Sequence, residues 1–286
     1  MPTQNVAIAT DSIACLTREL VEQYGIEIIP INFYACGKLY RDLVDLTPSE
    51  AYELFLKEPD SFKSSAASPE DCLQAYRAAS RRAKNILCIT VSSELSTMYN
   101  AARDAKELAK AELPKINIEV MDSQTATPAE GFVALAAARA AAEGDDLAEV
   151  VSVAEEIKGR VNAIVFLDTI RHVYRSGRIP KVASQVGSIL NIKPILNVSG
   201  KVHFTAAVRN RKHGIKRILY MMREKVGQNP VRVAVMHAYA PDEAGRLKEQ
   251  IASEFNCTEL WITEFSPIMG YACGTGTVGI AFYTEG

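Results

Sequence analysis

The chain has 286 residues and a formal net charge of −2, with 48% hydrophobic and 23% charged residues. This length suits one large α/β domain or two domains of ordinary size, and the composition is typical of a soluble globular protein. The charge balance argues against broad nucleic-acid binding, which usually needs a basic surface. We expect no secretory signal behind Met1 and no membrane-spanning segment, because the apolar runs are short or interrupted by charges.

The six cysteines contain no CxxC pair and share no ligand spacing with the four histidines. Several lie inside apolar runs, as Cys88 does in the run LCIT. We therefore expect reduced thiols that behave as small buried hydrophobic residues. This use of cysteine predicts a cytoplasmic protein with no metal and no other cofactor.

The first 160 residues alternate between strand and helix patterns, which predicts a doubly wound parallel sheet. The predicted strands cover residues 5–10, 26–33, 86–91 and 118–121, and a short hairpin is predicted around Gly37. The predicted helices cover residues 17–24, 48–57, 68–82, 98–111, 128–143 and 147–158.

The pattern changes near residue 161, where we place a domain boundary. Strands are predicted over 163–167, 194–198, 202–208, 231–238, 258–263 and 277–283, and helices over 182–190, 214–226 and 242–255. Ser199-Gly200 is a hairpin turn signal. The sequence thus predicts a two-domain α/β protein, with residues 1–160 and 161–286 packed closely and a mixed or antiparallel sheet in the second domain.

Residues 86–99 carry the clearest functional signal. An apolar strand pattern stops at Ser92-Ser93, and Ser96 and Thr97 are candidate caps for the next helix. A strand, a hydroxyl-rich turn and a helix start direct backbone N–H groups and hydroxyls to one spot, which suits an anionic ligand group. The alternatives are a simple capped turn or a nucleophilic Ser93, although Ser93 lies in no G-x-S-x-G elbow and has no obvious base.

A second serine segment, Ser64-Ser65-Ala66-Ala67-Ser68-Pro69, is predicted to be a loop. Ser before Pro is typical of a helix start, so Ser68 is interpreted as a cap. Ser64 and Ser65 precede that cap and have no helix to serve. They are therefore candidates for ligand binding.

Two further motifs are weaker. Residues 274–279 match G-x-G-x-x-G, but a strand pattern follows them, where a dinucleotide site needs a helix. We therefore reject nucleotide binding. The small residues are instead expected to allow close approach of the backbone to a ligand or to the other domain. The basic clusters 171–178 and 209–212 are either solvated surface, a docking patch for an acidic partner, or the flank of a phosphate.

Together these segments resemble the DegV family of fatty-acid-binding proteins, nearly from end to end. The resemblance rests on five motifs in the family's order: Thr10-Asp11-Ser12, the serine segment 64–69, Ser92-Ser93-Glu94-Leu95-Ser96, Ser176-Gly177-Arg178-Ile179, and the run LNIKPIL at 190–196. They are similar to the family patterns T-D-S, T-S-Q-P-S-P, S-S-x-L-S, G-G-R-I and L-x-I-K-P-I-L.

The resemblance implies an apolar tunnel between the two domains that holds one long-chain fatty acid. It implies that Ser64 and Ser93 bind the carboxylate. The further ligand-binding candidates are the neighbouring hydroxyl residues Ser65, Ser92, Ser96 and Thr10.

Characterised family members present the fatty acid to a separate ATP-dependent kinase subunit related to dihydroxyacetone kinases, which makes an acyl phosphate. The resemblance implicates Arg209 and Arg211 in docking to that subunit, with Arg178 as a further candidate.

The chain departs from the family at two positions. Ser64 replaces a threonine and keeps the hydroxyl, whereas Ala272 stands where the family tends to have a histidine. The loss of that histidine puts kinase coupling in question more than lipid binding. Two alternatives therefore stay open: a serine esterase or acyltransferase using Ser93, and a carrier of a different hydrophobic metabolite.

Overall fold

The structure is a computed structural model that describes residues 5–169, 177 and 192–285. Its strands, in chain order, are β1 (Val6–Asp11), β2 (Glu27–Ile29), β3 (Asn32–Ala35), β4 (Lys38–Arg41), β5 (Lys63–Ser65), β6 (Asn85–Thr90), β7 (Asn117–Asp122), β8 (Asn162–Phe166), β9 (Lys193–Ser199), β10 (Lys201–Val208), β11 (Val231–His237), β12 (Cys257–Glu264) and β13 (Val278–Thr284). Its helices are α1 (Arg18–Tyr24), α2 (Pro48–Lys57), α3 (Pro69–Ser80), α4 (Met98–Glu112), α5 (Pro128–Glu143), α6 (Leu147–Arg160), α7 (Arg211–Val226), α8 (Pro241–Glu254) and α9 (Pro267–Cys273).

The strands form three sheets. The first is parallel, with the order β2-β1-β6-β7. The second is mixed, with the order β10-β9-β8-β13-β11-β12, and in it only β11 and β12 run parallel. The third is a small antiparallel sheet, β4-β3-β5. The predicted fold class, an α/β protein with a parallel sheet followed by a mixed sheet, is confirmed.

Helix α5 joins the parallel and mixed sheets into one core. It is buried almost all round, including Phe132, Val133 and Leu135, as expected of a helix enclosed on every side. It contacts β1 and β6 of the parallel sheet and β8, β11 and β13 of the mixed sheet. One apolar cluster therefore continues from the first sheet into the second. The change of sheet falls between α6 and β8, and the division into domains 1–160 and 161–286 stays a prediction.

Two predicted elements differ from the structure. The strand predicted over 26–33 is two strands in different sheets, β2 and β3, because Pro30 lies between them and has no N–H for the ladder. The serine segment predicted as a loop contains β5, which pairs antiparallel with β3.

One helix of the structure is not predicted from the sequence, and one predicted helix cannot be compared with the structure. Helix α9 is not predicted, although Ser266 caps it and Pro267 occupies its first turn, a start signal that can be found in sequence. The helix predicted over 182–190, and the basic segment 171–178 apart from Gly177, lie outside the described residues.

The six cysteines are free thiols, and four of them, Cys15, Cys72, Cys88 and Cys273, are buried. Across the ranges that the structure describes, we find no helix both long and apolar enough to cross a membrane.

Candidate functional site

An apolar cavity lies where the parallel sheet, the small sheet, the β9–β10 hairpin and α9 meet. The open space at this place, solvent at its mouth included, amounts to about 780 Å³. Among the described lining residues, the hydroxyl groups belong to Ser64, Ser65, Ser96 and Tyr271. None of the described lining residues is an Asp, Glu, Lys, Arg or His, so the wall is suited to a long apolar group.

The small sheet brings Ser64 and Ser65 to this cavity. They lie on β5, an edge strand held in register by the pairs Phe33–Ser64 and Asn32–Ser65. The Ser65 hydroxyl donates to the carbonyl of Ala66 at 3.3 Å. The Ser64 hydroxyl has no hydrogen-bond partner within the described ranges and is therefore available to a ligand.

Ser96 belongs to a compact turn between β6 and α4, residues 92–96, which we call the serine turn. The Ser92 carbonyl accepts from the N–H groups of Leu95 at 2.9 Å and Ser96 at 3.1 Å. The Ser96 hydroxyl accepts from the Met98 N–H at 3.3 Å and lines the cavity with Leu95. Ser96 thus caps α4, whereas Thr97 makes no capping hydrogen bond with its side chain.

Ser92 fastens the serine turn to the β9–β10 hairpin. Its buried hydroxyl donates to the Gly200 carbonyl at 2.6 Å. The Gly200 N–H in turn donates to the Gln124 carbonyl at 2.5 Å, and the Lys201 ammonium lies 3.0 Å from the Glu94 carboxylate. The two hydrogen bonds hold the hairpin in place, and its residues 198 and 202 form part of the cavity wall.

Ser93 is exposed, and its hydroxyl is committed to Asp122. The hydroxyl donates to Oδ2 of Asp122 at 2.6 Å, and the Ser93 N–H donates to both carboxylate oxygens at 3.3 Å. Within the described ranges Ser93 is not among the cavity-lining residues. Sequence reasoning missed Asp122. The available signal was its place at the end of β7, beside the end of β6, where parallel strands deliver functional side chains.

Thr10 and Asp11 act behind the cavity wall. The buried Thr10 hydroxyl donates to Oε1 of Glu130 at 3.2 Å. The Asp11 carboxylate accepts from the N–H of Ile13 at 3.0 Å and from the N–H of Val91 at 2.8 Å. Ile13 and Val91 line the cavity, whereas Thr10 is not among its described lining residues. The Thr-Asp-Ser motif therefore positions the wall.

The buried carboxyl groups of Asp11 and Glu130 both have raised pKa values. Burial raises the pKa of Asp11 to about 6. Burial raises the pKa of Glu130 well above its ordinary value, and the negative charge of Asp11 raises it further. Loss of water destabilises a carboxylate, so both groups hold a proton more tightly than a solvated carboxyl group does.

Helix α9 closes one side of the cavity and carries Ala272, which lines it. The ring of Tyr271 stacks on Phe62 with centroids 5.3 Å apart. A Cβ atom on Gly270 would come within 2.1 Å of the Tyr52 ring, so only glycine allows α9 to pack this closely on α2. Ala272 thus contributes a methyl group to the cavity.

The glycines at 274 and 276 have positive φ angles of 86° and 82° and form the turn from α9 into β13. The G-x-G-x-x-G match therefore leads into a strand, as predicted, and not into the helix of a dinucleotide site.

The predicted docking arginines occupy different environments. Arg209 is exposed at the end of β10. The Arg211 guanidinium lies 3.3 Å from Asp168 and 3.1 Å from Glu243, and 5.7 Å from the centroid of the Phe166 ring. Arg211 is thus paired within the chain, while Arg178 lies outside the described residues. In the part of the chain that the structure covers, no cluster of three or more potential ligands could hold a metal ion.

The fold and the cavity define an α/β protein with an apolar pocket. A family model described as the DegV family matches residues 5–285, and the chain belongs to this family. A DegV domain-containing protein of Clostridium perfringens is 32% identical over 285 residues, covering 98% of this chain and 99% of the relative. Another, from Caldanaerobacter subterraneus, is 30% identical over 281 residues, covering 98% and 99%.

Solved structures are similar over the same length. DegV from Bacillus subtilis, described as a fatty acid binding protein, is 27% identical, covers 99% of this chain and all of its own, and has a TM-score of 0.88. A DegV family protein from Thermus thermophilus, reported for its fatty acid binding, is 26% identical, covers 98% of this chain and all of its own, and has a TM-score of 0.88.

Proposed function

We propose that this protein is a carrier that binds one long-chain fatty acid in the apolar cavity and has no chemistry of its own. The observation that carries the proposal is the cavity wall, whose described residues are uncharged and whose hydroxyls come mainly from three serines. The fatty acid binding described for the relatives from Bacillus subtilis and Thermus thermophilus supports it.

Burial of the acyl chain supplies the affinity, at about 0.8 kcal/mol for each CH₂ group. Each hydrogen bond from a hydroxyl to the carboxylate adds roughly 1.5–3 kcal/mol. An unpaired carboxylate deep in this uncharged cavity would be costly. The head group therefore lies by the serines and the start of α4, where the helix dipole favours negative charge.

For the head group we propose Ser64 and Ser93 as the principal ligands, with Ser65 and Ser96 beside them. The Ser64 hydroxyl, which has no hydrogen-bond partner among the residues that the structure describes, supports the first assignment. The Ser93 hydroxyl can donate to a ligand carboxylate only after it leaves Asp122. Ser92 and Thr10, whose hydroxyls bond to Gly200 and Glu130, support the cavity from behind.

We further propose that the loaded carrier works in the cytoplasm and presents its carboxylate to a separate ATP-dependent kinase subunit of the dihydroxyacetone-kinase type. The exposed Arg209 supports a docking role, and the free thiols support a reducing compartment. The test is hydroxylamine trapping of an acyl phosphate after the loaded protein is mixed with such a subunit and ATP.

The esterase or acyltransferase alternative requires a base for Ser93. Within the described ranges the Ser93 hydroxyl bonds to Asp122 and to no histidine. This geometry favours the carrier. Hydrolysis of a nitrophenyl ester that disappears in Ser93→Ala would reverse this preference.

The deciding experiment is mass spectrometry of the solvent extract from purified, denatured protein. We expect a near-stoichiometric long-chain fatty acid. Val202→Trp should abolish ligand binding, because residue 202 lines the cavity and the larger side chain would occupy the ligand's space. Phe204→Trp, on the same strand but exposed, is the matched control and should keep the ligand. A different lipid would mean a carrier of another hydrophobic metabolite, and an empty extract together with no binding of added fatty acid would refute the proposal.

A further inference from the structure

The hydrogen bond between Ser93 and Asp122 points to a residue that sets head-group specificity. We propose that Asp122 competes with the ligand for the Ser93 hydroxyl proton, and so weakens binding of an anionic head group relative to one that brings its own proton. This inference rests on the proposed function, in which Ser93 binds the head group.

A serine hydroxyl has one proton to donate and two lone pairs that can accept. In Ser93 the proton points to Oδ2 of Asp122 at 2.6 Å, a length typical of a charge-assisted hydrogen bond to a carboxylate. The backbone N–H of Ser93 also donates to Asp122. Ser93 can therefore accept a hydrogen bond from a ligand. It can donate to a ligand only when its hydrogen bond to Asp122 breaks.

Asp122 is held in this position by the sheet. It is the last residue of β7 and pairs in register with Thr90 of β6, two residues before the serine turn. Its Oδ1 atom accepts from the Gln124 N–H at 2.8 Å. These contacts keep the carboxylate beside Ser93, so a ligand cannot displace it without breaking them.

The local charges act in the same direction. Glu94 is paired with Lys201 at 3.0 Å. Asp122 has no cationic partner within the described ranges. A ligand carboxylate on Ser93 would place a second negative charge near the first, and like charges at short range repel. A protonated acid, an alcohol or an amide can instead donate to the Ser93 oxygen and leave the bond to Asp122 intact.

Asp122→Asn tests the idea with little change of shape. Its side-chain oxygen can still accept from Gln124, while its NH₂ group donates to Ser93 and releases the serine proton. Calorimetric titration of delipidated protein with palmitate and with hexadecan-1-ol compares an anionic with a neutral head group. We expect Asp122→Asn to tighten palmitate binding about five- to tenfold, with no gain for hexadecan-1-ol. In a Ser93→Ala background the same substitution should change neither affinity.

Three results would overturn the inference: an unchanged palmitate affinity, an equal gain for both ligands, or a gain that persists without the Ser93 hydroxyl. If Asp122→Asn does not fold, Asp122→Ser also removes the charge and carries the same expectation. Failure of the proposed function looks different, because wild-type protein would then bind neither ligand. Binding of both ligands by the wild type keeps the two ideas separable.

Discussion

Ser92 and Gly200 lie 108 positions apart in sequence and are joined by a 2.6 Å hydrogen bond from hydroxyl to carbonyl. Ser92 belongs to the serine turn at the end of β6, and Gly200 is the tip of the hairpin between β9 and β10. This bond holds against the serine turn a hairpin that contributes Val198 and Val202 to the cavity wall.

Ser92→Ala should loosen the hairpin and speed ligand release. The variant loses one buried hydrogen bond, which costs roughly 1 kcal/mol of unfolding free energy. We expect a lower midpoint of urea unfolding and a severalfold faster dissociation of bound fatty acid, measured by stopped-flow displacement. Lys201→Ala is the matched control, since its exposed ion pair contributes little. A dissociation rate equal to that of the wild type would argue against the hairpin as part of the ligand's exit.

Ser64 and Ser68 should respond differently to the same substitution, although only four positions separate them. Ser64→Ala removes a hydroxyl that lines the cavity, and we expect severalfold weaker fatty-acid binding at unchanged stability. Ser68→Ala removes the cap of α3 and should cost about 1 kcal/mol of stability, with affinity retained. Ser64→Thr keeps a hydroxyl and should bind like the wild type. Equal losses of affinity in the two alanine variants would contradict the assignment of Ser64.

Glu130→Gln should flatten the dependence of stability on pH. Burial raises the pKa of Glu130 above its value in the unfolded chain. The folded state therefore holds this proton more tightly, and the corresponding stability is present below the unfolded pKa and is lost as pH rises through the folded pKa. Glutamine is neutral at every pH and of the same size. Urea unfolding across acidic to neutral pH should show a shallower decline in the variant.

The exposed Glu53 on α2 provides the control for that series. Glu53→Gln should leave the slope of stability against pH unchanged. If Glu130→Gln keeps the wild-type slope, Glu130 does not contribute to the pH dependence of stability.

Alanine variants of Arg209 and Arg211 should distinguish an effect on docking from an effect on stability. Arg209→Ala should leave fatty-acid affinity and stability unchanged while reducing acyl phosphate formation by an added kinase subunit, because its side chain is exposed. Arg211→Ala should cost about 1 kcal/mol of stability, because Asp168 and Glu243 lose their shared cation. Kinase-dependent product formation that is equal in Arg209→Ala and the wild type would exclude Arg209 from the docking surface.

Much of the secondary structure could be predicted because its signals are local. Thr47 and Glu50 form the capping box that starts α2, and Gly25 ends α1 in a left-handed conformation with φ 62°. Both signals depend on residues within one turn of the helix end. The two hydroxyl segments were found for the same reason, since composition and strand ends can be recognised in a short window.

The sequence by itself thus determined the α/β class, most element bounds and the two serine segments. The role of each hydroxyl was decided only by tertiary structure. Ser64 faces the cavity, Ser92 bonds to Gly200, Ser93 bonds to Asp122, and Thr10 bonds to Glu130. The three partner residues lie 29 to 120 positions away along the chain. A hydroxyl's function depends on which acceptor its single proton reaches. These acceptors are brought near by the pairing of β6 with β7, the packing of α5 on β1, and the contact of the β9–β10 hairpin with the serine turn.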